Sequence, residues 1–159
     1  MPFAPLYELC PDVAKRETRA ITVTPAANSG LPAGDYGFVE MYCNEPKCDC
    51  RRVFFSVLSS NTNQIEAVIA WGWEDVAFYK RWLGGLDPKM ARDMQGPVLN
   101  FGSPQSKFAG ALLDLARRTL LNDPTYVERI KTHYALFRSK VDGGAAKLLK
   151  GLRRNSRKQ

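Results

Sequence analysis

The two halves of the chain carry different hydrophobic periodicities, and this division constrains the fold more than any other feature. Four segments of the first half alternate apolar with polar side chains or form short extended apolar runs: 18–24, 36–43, 51–59 and 65–73. Such segments are typical of strands, and the short connections between the last three favour antiparallel neighbours. The sequence therefore predicts an antiparallel meander of three or four strands.

The second half carries repeated helix-start signals. Three dipeptides place an oxygen-bearing capping residue before a proline at the first helical position: Asp87-Pro88, Ser103-Pro104 and Asp123-Pro124. Proline is tolerated there because the first N–H groups of a helix have no partner within it. A further helix is expected over 74–83, where acidic residues favour the N-terminus and Gly84-Gly85 ends it. The predicted fold class is α+β, a meander followed by four helices.

Three cysteines lie between the second and third predicted strands. Cys43, Cys48 and Cys50 form a C-x4-C-x-C motif in the segment CNEPKCDC. In an extended chain Cys48 and Cys50 point to one face, and the turn over 44–47 brings Cys43 back toward them. Zinc is a natural partner for a cluster of thiolates. The motif predicts a structural zinc site in a zinc-knuckle-like hairpin tip.

The expected redox state supports this interpretation. The start of the sequence lacks the charged leader and apolar stretch of a secretory signal, and no apolar run approaches the roughly 18 to 20 residues that span a bilayer. We expect a cytoplasmic protein with no membrane contact, whose cysteines stay as thiols.

The local motif supplies three of the four ligands that a structural zinc site needs. His133, the only histidine, and Cys10, in the N-terminal segment, are the two candidates for the fourth, and the sequence leaves the choice open. Asp49 or water are further alternatives, while a buried histidine or cysteine can equally be a packed core residue. Three basic residues flank the thiols and are expected to favour the thiolate form: Lys47, Arg51 and Arg52.

The positive charge is confined to one end of the chain. The formal net charge is +7, and the segment 138–159 holds eight basic residues against one acidic residue, so the rest of the chain is balanced. We predict a single α+β metal-binding domain over 1–141 and a basic C-terminal tail over 142–159, because a neutral body with a basic tail differs from a uniformly basic binding domain.

This charge distribution suggests a small zinc-binding accessory protein that contacts nucleic acid or a nucleoprotein complex through the tail. Tyr36, Phe38 and Tyr42 share a strand face and could stack bases, although aromatic residues at this spacing are also typical of a core. The candidate nucleic-acid-binding residues are Arg51, Arg52, Lys147, Lys150, Arg153, Arg154, Arg157 and Lys158.

The alternative is an adaptor subunit whose zinc is purely structural and whose tail docks on an acidic protein, without direct contact to nucleic acid. The sequence gives little support to an enzyme. It has one histidine, no serine nucleophile elbow and no glycine-rich phosphate loop with its lysine.

Four segments resemble a family of small bacterial proteins with a cysteine-rich hairpin: GDYGFVEMYCNEPKCDCRRVFF, AWGWEDVAFYKRWLGG, GPVLNFGSPQSKFAGALL and DPTYVERIKTHYALF. The likeness covers most of 34–137. No activity is established for that family, so the resemblance implies the hairpin and no catalytic residue. The C-x-C at Cys48 is also similar to the SEC-C type of zinc motif, but here Arg51-Arg52-Val53 follow where that motif continues with Gly-Ser-Gly-Lys.

Overall fold

The computed structural model describes residues 3–85 and 87–156, with side chains described through Gly143 and at Arg154. Within these residues the fold is α+β, as predicted, with one antiparallel sheet and helices packed against it. The strands are β1 Phe3–Pro5, β2 Arg19–Val23, β3 Gly34–Cys43, β4 Arg52–Ser59, β5 Gln64–Gly72 and β6 Val98–Leu99. The helices are α1 Leu6–Leu9, α2 Pro11–Glu17, α3 Val76–Trp82, α4 Pro88–Gln95, α5 Ala109–Arg118 and α6 Pro124–Ser156.

Strands β2 to β5 form the predicted four-stranded meander, in which each strand pairs with the next. Two short strands extend it: β1 pairs with the C-terminal part of β3, beside β2, and β6 pairs with the outer edge of β5. The sheet therefore has six strands in the described residues, more than predicted, because a two- or three-residue strand is too short to show a periodicity of two.

The helices also outnumber the prediction. Helices α1 and α2 contain eleven residues in total, and only Leu6 and Ala14 of these are buried. Neither helix therefore shows an apolar stripe in the sequence. The helix starts at Pro88 and Pro124 are confirmed. Asp87 and Asp123 cap them by accepting hydrogen bonds from backbone N–H groups two residues further on, at 2.9 and 3.0 Å.

The predicted helix start at Ser103-Pro104 is wrong, because α5 begins five residues after that proline. The segment instead continues along the edge of the sheet. The side chain of Gln105 accepts a hydrogen bond from the N–H of Val68 and donates one to its carbonyl, both at 3.0 Å. The N–H of Ser106 donates to another carbonyl of β5. These bonds to a free strand edge replace those that an earlier helical turn would have made.

The main core lies on one face of the sheet, under α1, α2, α5 and α6. Tyr36, Phe38, Glu40 and Tyr42 alternate along β3 and are each 0–1% exposed. The aromatic residues of this strand face are therefore core residues, and they present no surface on which bases could stack. Helix α6 covers them with its own apolar stripe, as its spacing predicts.

The opposite face is covered at one end by α3 and α4. The side chain of Asp75 caps α3, and the Tyr79 hydroxyl donates to the carbonyl of Arg51 at 2.8 Å. Gly72 is required here, since a Cβ at that position would overlap the Tyr79 hydroxyl. Arg52 ties β4 to the end of α4 through its Nε, which lies 2.9 Å from the Met94 carbonyl.

Helix α6 continues through the position where the sequence suggests a boundary. Its 33 residues run through Gly143-Gly144 to Ser156, so the start of the predicted tail is backbone-continuous with the domain. At 1.5 Å per residue the helix is about 50 Å long. In the part of the chain that the structure describes, no helix has both the length and the apolar character needed to cross a membrane.

Candidate metal centre

The turn that joins β3 to β4 gathers the three cysteines of the C-x4-C-x-C motif. The sulfur atoms of Cys43, Cys48 and Cys50 all lie within 4.8 Å of one another. Cys43, the last residue of β3, and Cys50, two residues before β4, are buried, and Cys48 is half-buried at the tip. Lys47 and Arg51 adopt left-handed φ angles of 62° and 49°, which turn the chain sharply on either side of Cys48. The hairpin tip therefore converges three thiols, as predicted.

The spacing of these sulfur atoms fits a metal ion. Zinc–sulfur bonds of about 2.3 Å in a tetrahedral site place sulfur atoms about 3.8 Å apart. The three sulfur atoms are at most 4.8 Å apart, so movements of about 1 Å or less bring them to that separation. The three cysteines are thus positioned to hold a metal ion.

Helix α6 holds the turn from one side. The Arg138 guanidinium donates to the carbonyl of Cys43 at 2.8 Å and to Asp142 at 3.1 Å. Asp142 also accepts from the backbone N–H of Lys47 at 3.0 Å, and the Tyr134 hydroxyl accepts from the N–H of Arg51 at 3.2 Å. Sequence reasoning missed these supporting residues, although the i, i+4 spacing of Arg138 and Asp142 next to the apolar stripe of α6 is a signal for them.

The two candidates for a fourth ligand lie elsewhere. The ring nitrogens of His133 are both engaged by carboxylates, with Nδ1 2.7 Å from Glu40 and Nε2 2.7 Å from Glu17. Cys10 is buried in the main core, where it joins α1 to α2. The structure brings neither of them into the cluster, which among the described residues consists of the three cysteines of the turn.

Asp49, the other protein candidate, is engaged by a neighbouring guanidinium. Arg51 donates to both of its carboxylate oxygens, at 3.1 Å from Nε and 2.9 Å from Nη2. The Tyr134 hydroxyl donates to it at 3.3 Å. The hydrogen bond from Arg51 is the main reason that the pKa of Asp49 is lowered.

The flanking basic residues do not activate the thiols in the expected way. Burial raises the pKa of both Cys48 and Cys50, and Cys43 raises it further at both, whereas the hydrogen bonds with Cys50 partly lower the pKa of Cys48. The flanking cations do not overcome burial at these two residues: the charge of Arg51 is directed to Asp49 and Glu74, and the hydrogen bond with the backbone of Arg52 lowers the pKa of Cys50 only in part. The positive charge of a coordinated metal ion is what deprotonates clustered thiols.

The candidate nucleic-acid-binding residues fall into three groups. Arg51 is engaged by carboxylates and lies over the Phe78 ring, and Arg52 is only 5% exposed. Arg154 is exposed. Lys147, Lys150 and Arg153 lie on the helical backbone of α6, beyond the residues whose side chains are described, while Arg157 and Lys158 lie outside the described residues.

A second polar cluster, which the sequence did not predict, joins β3 to α6 in the core. The Glu40 carboxylate is buried and lies within hydrogen-bond distance of the hydroxyls of Tyr42 and Tyr126 and of His133. Two hydroxyls donate to this carboxylate, and a carboxylate beside each ring nitrogen favours the imidazolium form of His133, which has a proton on both nitrogens. Burial lowers the pKa of His133, but the hydrogen bonds with Glu40 and Glu17 outweigh burial and leave it raised.

No protein-family model, curated protein or solved structure matches this chain. The resemblance to small bacterial proteins with a cysteine-rich hairpin stays a prediction.

Proposed function

We propose that this protein is a small zinc-binding accessory protein that contacts nucleic acid or a nucleoprotein complex through the basic end of α6. The observation that carries the proposal is the convergence of three cysteine sulfur atoms within 4.8 Å at a turn hydrogen-bonded to that helix.

Zinc is the ion that best fits this donor set. Three thiolates are soft ligands, which disfavours magnesium and calcium. Zinc accepts cysteine-rich tetrahedral sites without a redox change, and water can occupy a fourth position that the protein leaves open.

In this proposal the zinc ion has a structural role, which is to hold helix α6 in place, and no catalytic role. Arg138 and Asp142, at the start of the basic segment 138–159, connect the turn to α6. An ion bound by Cys43, Cys48 and Cys50 makes the turn rigid, and the hydrogen bonds transmit that rigidity to the helix. The basic end of α6 is then held in a fixed direction relative to the sheet.

The charge distribution supports nucleic acid as the partner class. The net charge of the chain lies in 138–159, and phosphate contacts by lysine and arginine give affinity without sequence selectivity. The adaptor alternative uses the same segment against an acidic protein surface, and binding to oligonucleotides separates the two.

The metal is tested by measuring zinc content and by cobalt substitution. We expect one zinc ion per chain, lost in Cys48→Ser and retained in the matched variant Cys10→Ser, because Cys10 lies in the core. Cobalt(II) in the same site should give the intense visible bands of a tetrahedral thiolate complex. A chain purified without zinc that takes up neither ion would contradict the proposal, as would equal zinc loss in both variants.

The partner is tested with labelled single-stranded and duplex oligonucleotides over a salt series. Four basic residues of α6 are changed to glutamine in the full chain: Lys147, Lys150, Arg153 and Arg154. The slope of log K against log salt should become less negative by roughly three, because each phosphate that is no longer neutralised changes it by about 0.7 to 0.9. A control variant neutralises four exposed basic residues of the body and should keep the slope: Lys15, Arg16, Lys80 and Arg81. Equal slopes in the parent and the α6 variant would favour the protein-adaptor alternative.

A further inference from the structure

A groove on the sheet face opposite α6 contains a buried cation. Its volume is about 610 Å³, and it lies between the start of β4, helix α4 and strand β6. This volume is in the range of small-molecule sites, about 300 to 1,000 Å³. The apolar lining is formed by Ala70, Met90, Met94, Val98, Leu99 and Phe101.

Arg52 is the polar residue at the inner end of this groove. The residue is 5% exposed, its Nε donates to the Met94 carbonyl at 2.9 Å, and its guanidinium carbon lies 5.1 Å from the centre of the Phe54 ring. These two contacts fix the plane of the guanidinium. No carboxylate of the described residues lies within ion-pair distance of it.

Arg52 lines the groove, and its two terminal nitrogens are its remaining hydrogen-bond donors. Neither nitrogen makes a hydrogen bond to the rest of the described chain. Every fully buried side-chain nitrogen in the described residues has a partner, so these two nitrogens are not fully buried. They therefore keep contact with the open space that Arg52 lines. Cys50 interacts electrostatically with this guanidinium but does not line the groove, so an anion in the groove would offset the remaining cost of removing the cation from water.

The other lining residues suit an anion with an apolar body. Lys89 adds a second cation at the rim, against the single carboxylate of Asp93. Met90 is 50% exposed and Phe101 is fully exposed, so a large apolar surface lies beside the cations. Methionine side chains adapt to ligands of different shapes, and exposed apolar patches next to polar groups mark binding sites.

We propose that this groove binds a small carboxylate that carries an apolar chain. The paired terminal nitrogens of Arg52 match the two oxygens of a planar carboxylate, and the chain lies against the methionines and Phe101. The proposal does not depend on the metal, since none of the three cysteines lines the groove.

The probe is decanoate, titrated into the zinc-loaded full chain below its micellar concentration by calorimetry, with amide chemical shifts followed in parallel. We expect saturable binding with shift changes confined to α4 and β6. Decyltrimethylammonium has the same chain length and the opposite charge, so it should bind at least tenfold more weakly. Equal affinity for the two amphiphiles would overturn the proposal, because it would reveal an unspecific apolar patch.

Substitutions locate the headgroup. Arg52→Met keeps much of the side-chain length and should weaken decanoate at least tenfold, since it removes a charge-assisted hydrogen bond. Lys89→Gln should weaken it about two- to threefold, and the matched exposed variant Lys80→Gln should not change it. Met90→Glu, at an exposed position, places a like charge at the rim and should weaken decanoate about fivefold even where Arg52→Met fails to fold. Unchanged affinity in Met90→Glu and Lys89→Gln would overturn the assignment.

Discussion

Two polar clusters connect helix α6 to strand β3, and they differ in how their polar atoms are satisfied. At the hairpin tip, Cys43 and its two companion thiols leave donor atoms directed at one another. Deeper in the core, Glu40 and His133 pair directly, and hydroxyls complete their hydrogen bonds. The buried cluster is complete within the described chain, whereas the hairpin cluster is positioned to hold an added ion.

The difference shows where each cluster can contribute to stability. Burying a carboxylate is costly unless its charge and lone pairs are satisfied, and Glu40 has both a cationic partner and two hydroxyl donors. Neutral thiols carry no such charge, so the hairpin can fold without metal and gain its rigidity on binding. We therefore expect the core cluster to stabilise the fold in all conditions and the hairpin cluster to stabilise it only when a metal ion is bound.

The largest effect should come from breaking the buried cluster. Glu40→Gln keeps the shape of the side chain but removes the charge opposite His133, and we expect the free energy of unfolding in urea to fall by about 3 to 5 kcal/mol. The matched variant Glu17→Gln acts on the other ring nitrogen of the same histidine. Because Glu17 is 35% exposed, it should cost about 1 kcal/mol. Equal losses in the two variants would contradict the distinct role of the buried carboxylate.

The sequence predicts the two clusters to very different degrees. Cys43, Cys48 and Cys50 lie within eight residues, so local chain geometry alone brings them together. Glu40 and His133 lie 93 positions apart, and their contact depends on how α6 crosses β3. His133 is the packed core histidine that the sequence leaves open as an alternative, and its partner there is a carboxylate that alternation places on the buried side of a strand. A charged residue in a core position is the signal that was available in the sequence.

The same distinction between local and long-range contacts explains which helices and strands the sequence predicts. Strands β2 to β5 and the helix starts at Pro88 and Pro124 depend on local alternation and capping, which the sequence displays. Ser103-Pro104 shows an equally good capping signal, yet Gln105 bonds to β5 instead. Here the hydrogen bonds of a local helical turn compete with hydrogen bonds to the edge of β5. That edge lies near Gln105 only once the chain has folded, so the sequence alone does not show it.

Metal removal should produce the second largest effect, and only at the hairpin. At free zinc about 100-fold above the dissociation constant, binding to the folded state adds about 2.7 kcal/mol, which a chelator should remove. The loss should be absent in Cys48→Ser, and Glu40→Gln should show the same increment as the parent because the two clusters act at separate sites. Urea unfolding with and without chelator measures these differences. A chelator effect that disappears in Glu40→Gln would show that the clusters are not independent.

The smallest effect should be a pH dependence around neutrality that belongs to the buried cluster, because the hairpin thiols, whose pKa is raised, contribute only at more alkaline pH. The pKa of His133 is raised in the folded protein, against an ordinary value of about 6.5. Between 6.5 and the raised pKa the folded chain holds a proton that the unfolded chain has released. The stabilisation is therefore fully present below pH 6.5 and is lost as the pH rises through the raised value, by about 1.4 kcal/mol for each unit of the shift.

The other groups around His133 leave this window clear. Its hydrogen bond with Glu17 lowers the pKa of that carboxyl, so the stabilisation from Glu17 is present above its ordinary pKa and is lost only in acid. Arg129 forms an ion pair with Glu17, and burial raises the pKa of the Tyr42 and Tyr126 hydroxyls away from neutrality. Urea unfolding between pH 6 and 8.5 should thus show stability falling with pH in the parent and a flatter profile in His133→Gln. Parallel pH profiles in the parent and His133→Gln would mean that another group takes up the proton. The assignment of a charged imidazolium to the buried cluster, and its contrast with the hairpin, would then be contradicted.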